Sequence, residues 1–157
     1  MRKIGFGALL VFAATLTAQE KKGYDYHQGA EIAGKQQDLL KEAATKASSW
    51  RIADYGDHTL TMTAQTKSSA PEMHERWSDV IIVTNGKATL LTGGTLVNPV
   101  GRGAAGSGEM GGSDITGAST QVIQQGDVIN IPPATPHWIK IAPGDTFAYM
   151  IVKVKKS

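Results

Sequence analysis

The spacing of apolar positions changes character along the chain. Residues 4–16, "IGFGALLVFAATL", form one continuous apolar run behind Arg2 and Lys3. From Ala30 to Ser48 the apolar residues Ile32, Leu39, Leu40, Ala43 and Ala47 recur at helical spacing, with Lys and Glu on the opposite face. That pattern predicts one amphipathic helix lying on the outside of a larger body. From Trp50 onward the period shortens to two. "HTLTMTA" (His58 to Ala64) alternates apolar and polar residues, as a half-buried strand does. Val80 to Val83 and Ala88 to Leu91 flank "TNGK", and Asn-Gly between two apolar runs predicts a tight hairpin. Later strands are predicted at Thr120 to Ile123, Asp127 to Ile131, His137 to Ile141 and Thr146 to Val154. The turn-forming stretches "QQGD", "PPATP" and "APGD" separate them. Many short strands with Gly and Pro turns, plus one helix, describe an all-β sandwich or barrel.

One segment breaks the rhythm. Residues 93–117 hold nine of the chain's 18 glycines. Glycine this dense costs backbone entropy, so we expect a flexible loop, serving as a flap over a site. It lacks a Lys and a strand-turn-helix setting, so it does not match a phosphate loop.

Charge adds a second division. The chain has 16 Lys and Arg against 14 Asp and Glu, and the excess is Arg2 and Lys3 alone. A basic start, a short apolar run and small residues at Thr17 and Ala18 predict a secretory signal peptide over residues 1–19. An uncleaved N-terminal anchor is the alternative. The expected organisation is then a lead-in and helix over residues 20–49 and a β-barrel over residues 50–157. The protein is expected to be exported, periplasmic or extracellular, without stable membrane insertion after cleavage. The near-neutral remainder lacks the basic patch that a nucleic-acid binder needs. Cysteine is absent, so neither disulfides nor a thiol nucleophile is available. No nucleophile elbow appears either.

The candidate chemistry sits at two strand entrances. Glu72 and His74 are two residues apart, which on a strand places them on one face. Asp79 follows at the entrance of the next strand, and His137 opens another strand after "IPPATP". Two imidazoles and one or two carboxylates can therefore meet at one point. His58 shares a face with Leu60, Met62 and Ala64, and is a candidate extra ligand or a satisfied core residue. His27 lies in the polar lead-in and carries no expected role. Trp77, Trp138 and Tyr149 are candidates to line a pocket, or core aromatics.

These two segments resemble the paired motifs of the cupin superfamily. In "PEMHERWSDVIIVTNG", Glu72-x-His74 is followed by four residues, Asp79, six residues and Gly86. In "GDVINIPPATPHW", Gly126, Pro132, Ala134 and His137 fall on the second motif's positions. The chain departs from the family pattern at three places. Glu72 replaces a histidine, Asp79 stands for the usual Glu, and Ala134 replaces a glycine. The resemblance implies a jelly-roll β-barrel with one N-terminal helix and a site in the barrel mouth. It implies a divalent metal (Fe, Mn, Ni or Zn) on His74, His137, Glu72 and Asp79. Glu72 is expected as a ligand or as a general base. The expected function is binding of a small oxygen-rich molecule at the metal, as in a metal-dependent oxygenase or isomerase. The alternative is a non-catalytic small-molecule-binding cupin without metal. Dimers are common in that family, so a homodimer is a further expectation.

Overall fold

A computed structural model describes residues 23–156. The expected signal segment lies outside the described residues. Helix α1 spans Gly29–Ala43. Thirteen strands follow among the described residues: β1 Ser48–Asp54, β2 His58–Gln65, β3 Glu72–His74, β4 Trp77–Asn85, β5 Lys87–Thr92, β6 Thr95–Val97, β7 Val100–Arg102, β8 Glu109–Gly111, β9 Asp114–Thr116, β10 Ser119–Gln124, β11 Val128–Ile131, β12 His137–Lys140 and β13 Phe147–Lys155. Among the described residues, no helix is long and apolar enough to cross a membrane.

The strands form two main sheets. One runs β1-β2-β13-β4-β11 and the other β10-β5-β12-β3-β8-β7, with β6 and β9 as a small separate pair. Neighbouring strands in both main sheets pair antiparallel. The main core lies between the inner faces: Ile81, Val83 and Phe147 from one sheet meet Leu90, Ile123, Ile139 and Ile141 from the other side. This is the all-β architecture that the strand pattern predicted and the jelly roll that the resemblance implied, with one helix outside it.

Alternation along β2 and β13 sets two faces against two different partners. Met62 and Ala64 of β2, with Ala148 and Met150 of β13, turn outward and pack under Leu39 and Ala43 of α1. Burying a residue the size of Leu39 contributes about 1.5–3 kcal/mol, so this small second core is what holds the helix to the sheet. Thr61, Thr63, Tyr149 and Ile151 therefore turn inward.

The helix ends earlier than its periodicity predicted. It stops at Ala43 and Ala47 is exposed. The Thr66 hydroxyl donates to the Ala43 carbonyl, and Ser48 Oγ donates to Glu42 Oε2. Those bonds take up the helix end and aim the chain into β1.

Asn85-Gly86 does not make a hairpin. β4 and β5 lie in different sheets, so Gly86 is the corner where the chain crosses between them. Only Gly86 of the pair has positive φ (75°), whereas a type I′ turn needs it at both residues. A Cβ at Gly86 would overlap the Thr146 carbonyl, and Asn85 Nδ2 donates to that same oxygen. Tertiary packing against the 146–147 backbone wins over local turn preference.

The Gly-rich segment is not a plain loop either. It supplies β6, β7, β8 and β9, and β8 pairs with β3. Its glycines permit close approach: a Cβ at Gly112 would strike Leu96, and one at Gly111 would strike the Arg102 guanidinium.

Candidate metal centre

Strand registers put the titratable groups in rows. Across the second sheet, His137 stands opposite Glu72 and Glu72 opposite Gly111. One step along, His74 stands opposite Glu109 and Glu109 opposite Arg102. Across the first sheet, Asp79 stands opposite Lys153 and Lys153 opposite Thr59. Register partners share a face, so each row presents its side chains together. The rows meet inside the barrel. His74 Nε2 lies 3.2 Å from Asp79 Oδ2, and Lys153 Nζ lies 3.6 Å from Glu109 Oε2.

The four expected site residues converge. Ligand-capable atoms of Glu72, His74 and His137 all lie within 4.8 Å of one another. His137 Nε2 is 3.6 Å from Glu72 Oε1 and 3.6 Å from Asp79 Oδ2. His74 Nε2 is 3.9 Å from Glu72 Oε1. The imidazole centroids are 5.1 Å apart. His74, Asp79 and His137 are buried, at 5%, 2% and 3% exposure. The Glu72 side chain is 37% exposed, which leaves it at the solvent side of the cluster.

Each imidazole is oriented from behind. His137 Nδ1 donates to the Thr135 carbonyl at 3.0 Å. His74 Nδ1 lies 2.5 Å from Glu109 Oε2 and donates to it. With Nδ1 protonated, the neutral ring carries its lone pair on Nε2, and both Nε2 atoms face the carboxylates.

These residues fit a divalent metal. Two nitrogen or oxygen ligands held about 2.1 Å from one ion stand roughly 3.0–3.4 Å apart at octahedral to tetrahedral angles. The observed separations of 3.2, 3.6 and 3.6 Å are close to that range. Asp79 Oδ1 is buried with no hydrogen-bond partner, which leaves acceptor capacity at the centre. Two imidazoles with carboxylates suit Fe(II), Mn(II), Ni(II) or Zn(II).

Burial and charge tune the groups against each other. Burial pushes the His74 imidazole down, but the hydrogen bond and charge of Asp79, with Glu72, outweigh it and raise its pKa. Burial raises the Glu72 carboxyl, but the hydrogen bond and charge of His137, then His74 and Lys153, hold it below its ordinary value. Burial, reinforced by the Glu72 and Asp79 charges and opposed by a hydrogen bond with Thr63, pushes the Tyr149 phenol well above its usual range. Tyr149 is therefore a neutral hydrogen-bonding group beside two carboxylates.

Other expected residues go elsewhere. His58 continues the outward face of β2. Its ring stacks on Tyr55 at 4.6 Å and its Nδ1 lies 2.6 Å from Asp57 Oδ1, so it is not part of the centre. His27 stays in the lead-in before α1. Trp138 Nε1 donates to the Ser69 carbonyl and Lys140 covers its ring, so this indole lies outside the site. Trp77 lines a hollow of about 390 Å³ together with Thr59, Glu109 and Lys153, which Glu72, His74, Asp79 and His137 do not line. Larger hollows of about 500 Å³ exist, but none of the converging residues lines them.

Sequence reasoning missed Glu109, Lys153 and Arg102. Arg102 Nη1 lies 3.9 Å from Glu72 Oε2. The inward phase of Lys153 along "FAYMIVKVK" was readable, since it follows Tyr149 and Ile151 at two-residue steps. Glu109 and Arg102 sit in the Gly-rich segment and carry no such periodic signal.

Comparison with known proteins bears on the family and the fold. Residues 59–157 match the sequence profile of the family described as Cupin. The chain has no match among curated proteins. A protein from Thermus thermophilus has a similar structure, with 10% identity, 78% of this chain and 95% of that one covered, and a TM-score of 0.54. An uncharacterized double-stranded β-helix protein from Klebsiella pneumoniae is similar at 13% identity, 75% and 88% coverage, and a TM-score of 0.52. The polyketide cyclase RemF from Streptomyces resistomycificus is similar at 21% identity, 70% and 66% coverage, and a TM-score of 0.48. The likenesses to the Thermus and Klebsiella proteins concern the fold alone. With a family profile matched over most of its length, two facing antiparallel sheets, and one motif histidine closing β3 and the other opening β12, the chain belongs to the cupin family.

Proposed function

We propose that this cupin binds a divalent metal through His74, His137 and Glu72, with Asp79 as a further ligand, and takes a small oxygen-rich molecule there. One observation carries the reading: both imidazoles are held at Nδ1, by Glu109 and by the Thr135 carbonyl, so that both Nε2 atoms face Glu72 and Asp79. A bound metal supplies Lewis-acid polarisation of a carbonyl or carboxylate oxygen, or dioxygen chemistry if it is iron. The reaction class that suits this set is oxygenation or isomerisation. Glu72 is kept ionised because the pull of burial is outweighed by His137, and where it does not ligate the metal it is the group available to take a proton from the bound molecule. Tyr149 stays a neutral phenol beside the two carboxylates. The basic start and apolar run of residues 1–19 support export to the periplasm or outside the cell.

A second reading is a small-molecule-binding barrel without metal. It is favoured by the 3.2 Å contact of His74 Nε2 with Asp79 Oδ2, which pairs the imidazole with a carboxylate directly.

Metal analysis of protein purified without a polyhistidine tag separates the two. The first reading expects stoichiometric metal that is lost in His74→Ala and His137→Ala. Wild-type protein that stays metal-free after incubation with Fe(II), Mn(II), Ni(II) and Zn(II) would leave only the second.

A further inference from the structure

Among the described residues, two cations pair with carboxylates of this cluster. Lys153 is committed to Glu109, itself committed to His74. Arg102 differs. It reaches over Gly111 to within 3.9 Å of Glu72 Oε2, and its side chain keeps 42% exposure. The chain makes room for it: a Cβ on Gly111 would overlap Nε, Cζ and Nη2 of Arg102. Gly111 lies in β8 and does not adopt a positive φ, so its backbone does not demand glycine. The guanidinium instead takes up the space that a methyl group would fill. The seat places a planar fork of donors next to the most exposed member of the cluster.

We infer that Arg102 is the specificity residue for a carboxylate-bearing ligand, one whose neighbouring oxygen goes to the metal. This rests on the metal reading above. A guanidinium matches a carboxylate with two parallel N–H donors, which a neutral amide cannot equal. The span is short. Glu72 Oε2 lies 3.9 Å from Arg102 and Glu72 Oε1 lies 3.6 Å from His137 Nε2, so one carboxylate group bridges the two positions. A ligand that engages both Arg102 and the centre therefore needs only a short spacing between its carboxylate and its second oxygen, which pyruvate supplies. When a metal engages Glu72, the carboxylate loses charge toward Arg102, and the fork is available to an incoming anion. Thr61 and Thr63 on the inward face of β2 add hydroxyls to the same interior.

The test uses mature protein loaded with Mn(II), its metal content measured first, and calorimetric titration with pyruvate and with pyruvamide. Wild type is expected to prefer pyruvate by tenfold or more. Arg102→Gln is expected to lose that preference while keeping metal content and thermal midpoint. Equal binding of pyruvate and pyruvamide by wild type, or an undiminished preference in Arg102→Gln, overturns the inference and leaves the metal reading standing. An Arg102-dependent preference in protein that takes up no metal overturns the metal reading and keeps Arg102 as the anion site. Absence of both metal and pyruvate binding overturns both.

Discussion

Glu109 Oε2 lies 2.5 Å from His74 Nδ1, although 35 residues and most of the Gly-rich segment separate them. The contact exists because β8 pairs with β3, placing Glu109 directly opposite His74. It makes Glu109 a positioning residue for the centre. Glu109→Gln keeps the shape and removes the charge. Loss of a comparable outer partner typically lowers metal affinity about 10–100-fold. Competition against a chromogenic chelator measures it. Unchanged affinity in the variant would show that His74 is oriented by something else.

The two shifted site groups define a pH window for metal-free protein. Glu72 has a lowered folded pKa, so its contribution is complete above its ordinary 4.5 and is lost as pH falls through the folded value. His74 has a raised folded pKa, so its contribution is complete below its ordinary 6.5 and is lost as pH rises through the folded value. Stability from this pair is therefore greatest between 4.5 and 6.5. A metal ligand cannot keep the His74 Nε2 proton, so the stabilisation given by added metal grows as pH rises above that window. Thermal midpoints with and without metal across pH check both halves. A metal increment that is flat with pH would contradict the proton competition.

Ala134 sits at φ 58°, in the left-handed region that glycine tolerates and alanine does not. Its N–H donates to the His74 carbonyl at 2.8 Å, which ties the turn before His137 to β3. That tether keeps both histidines together at the cost of local strain, about 1 kcal/mol for a left-handed alanine. Ala134→Gly is expected to raise stability by up to roughly 1 kcal/mol, offset in part by unfolded-state entropy. Urea unfolding reads the change. Destabilisation would mean that the methyl group packs favourably enough to outweigh the strain.

Gly111→Ala tests the Arg102 seat without touching an ionisable group. The new methyl would displace the guanidinium from Glu72. Metal content is expected to stay near wild type, and the preference for pyruvate over pyruvamide to fall as in Arg102→Gln. Retained preference would show that the guanidinium does not need this position.

Phe147 is fully buried in the main core, where the two sheets close on each other. Phe147→Ala is expected to cost about 3–5 kcal/mol. Thermal or denaturant unfolding measures it. A loss below about 1 kcal/mol would show that the core collapses around the gap.

The sequence by itself determined the main strands outside the Gly-rich segment and the residues of both halves of the centre. Two-residue alternation marked β2 and β13, and Glu72-x-His74 had to share a face once β3 was a strand. Pro132 and His137 announced a rigid turn into β12. These are local properties, set by backbone period and turn chemistry within a few residues. Tertiary structure decided the rest. It chose which face of β2 met the helix, and so removed His58 from the site. It turned Asn85-Gly86 from a hairpin into a crossing between sheets, because the 146–147 backbone packs on Gly86. It brought Glu109 and Arg102 out of a stretch that reads as loop and set them behind His74 and beside Glu72. Strand pairing between distant segments has no local periodic signature, since partner choice depends on which edges are free once the sheets have formed.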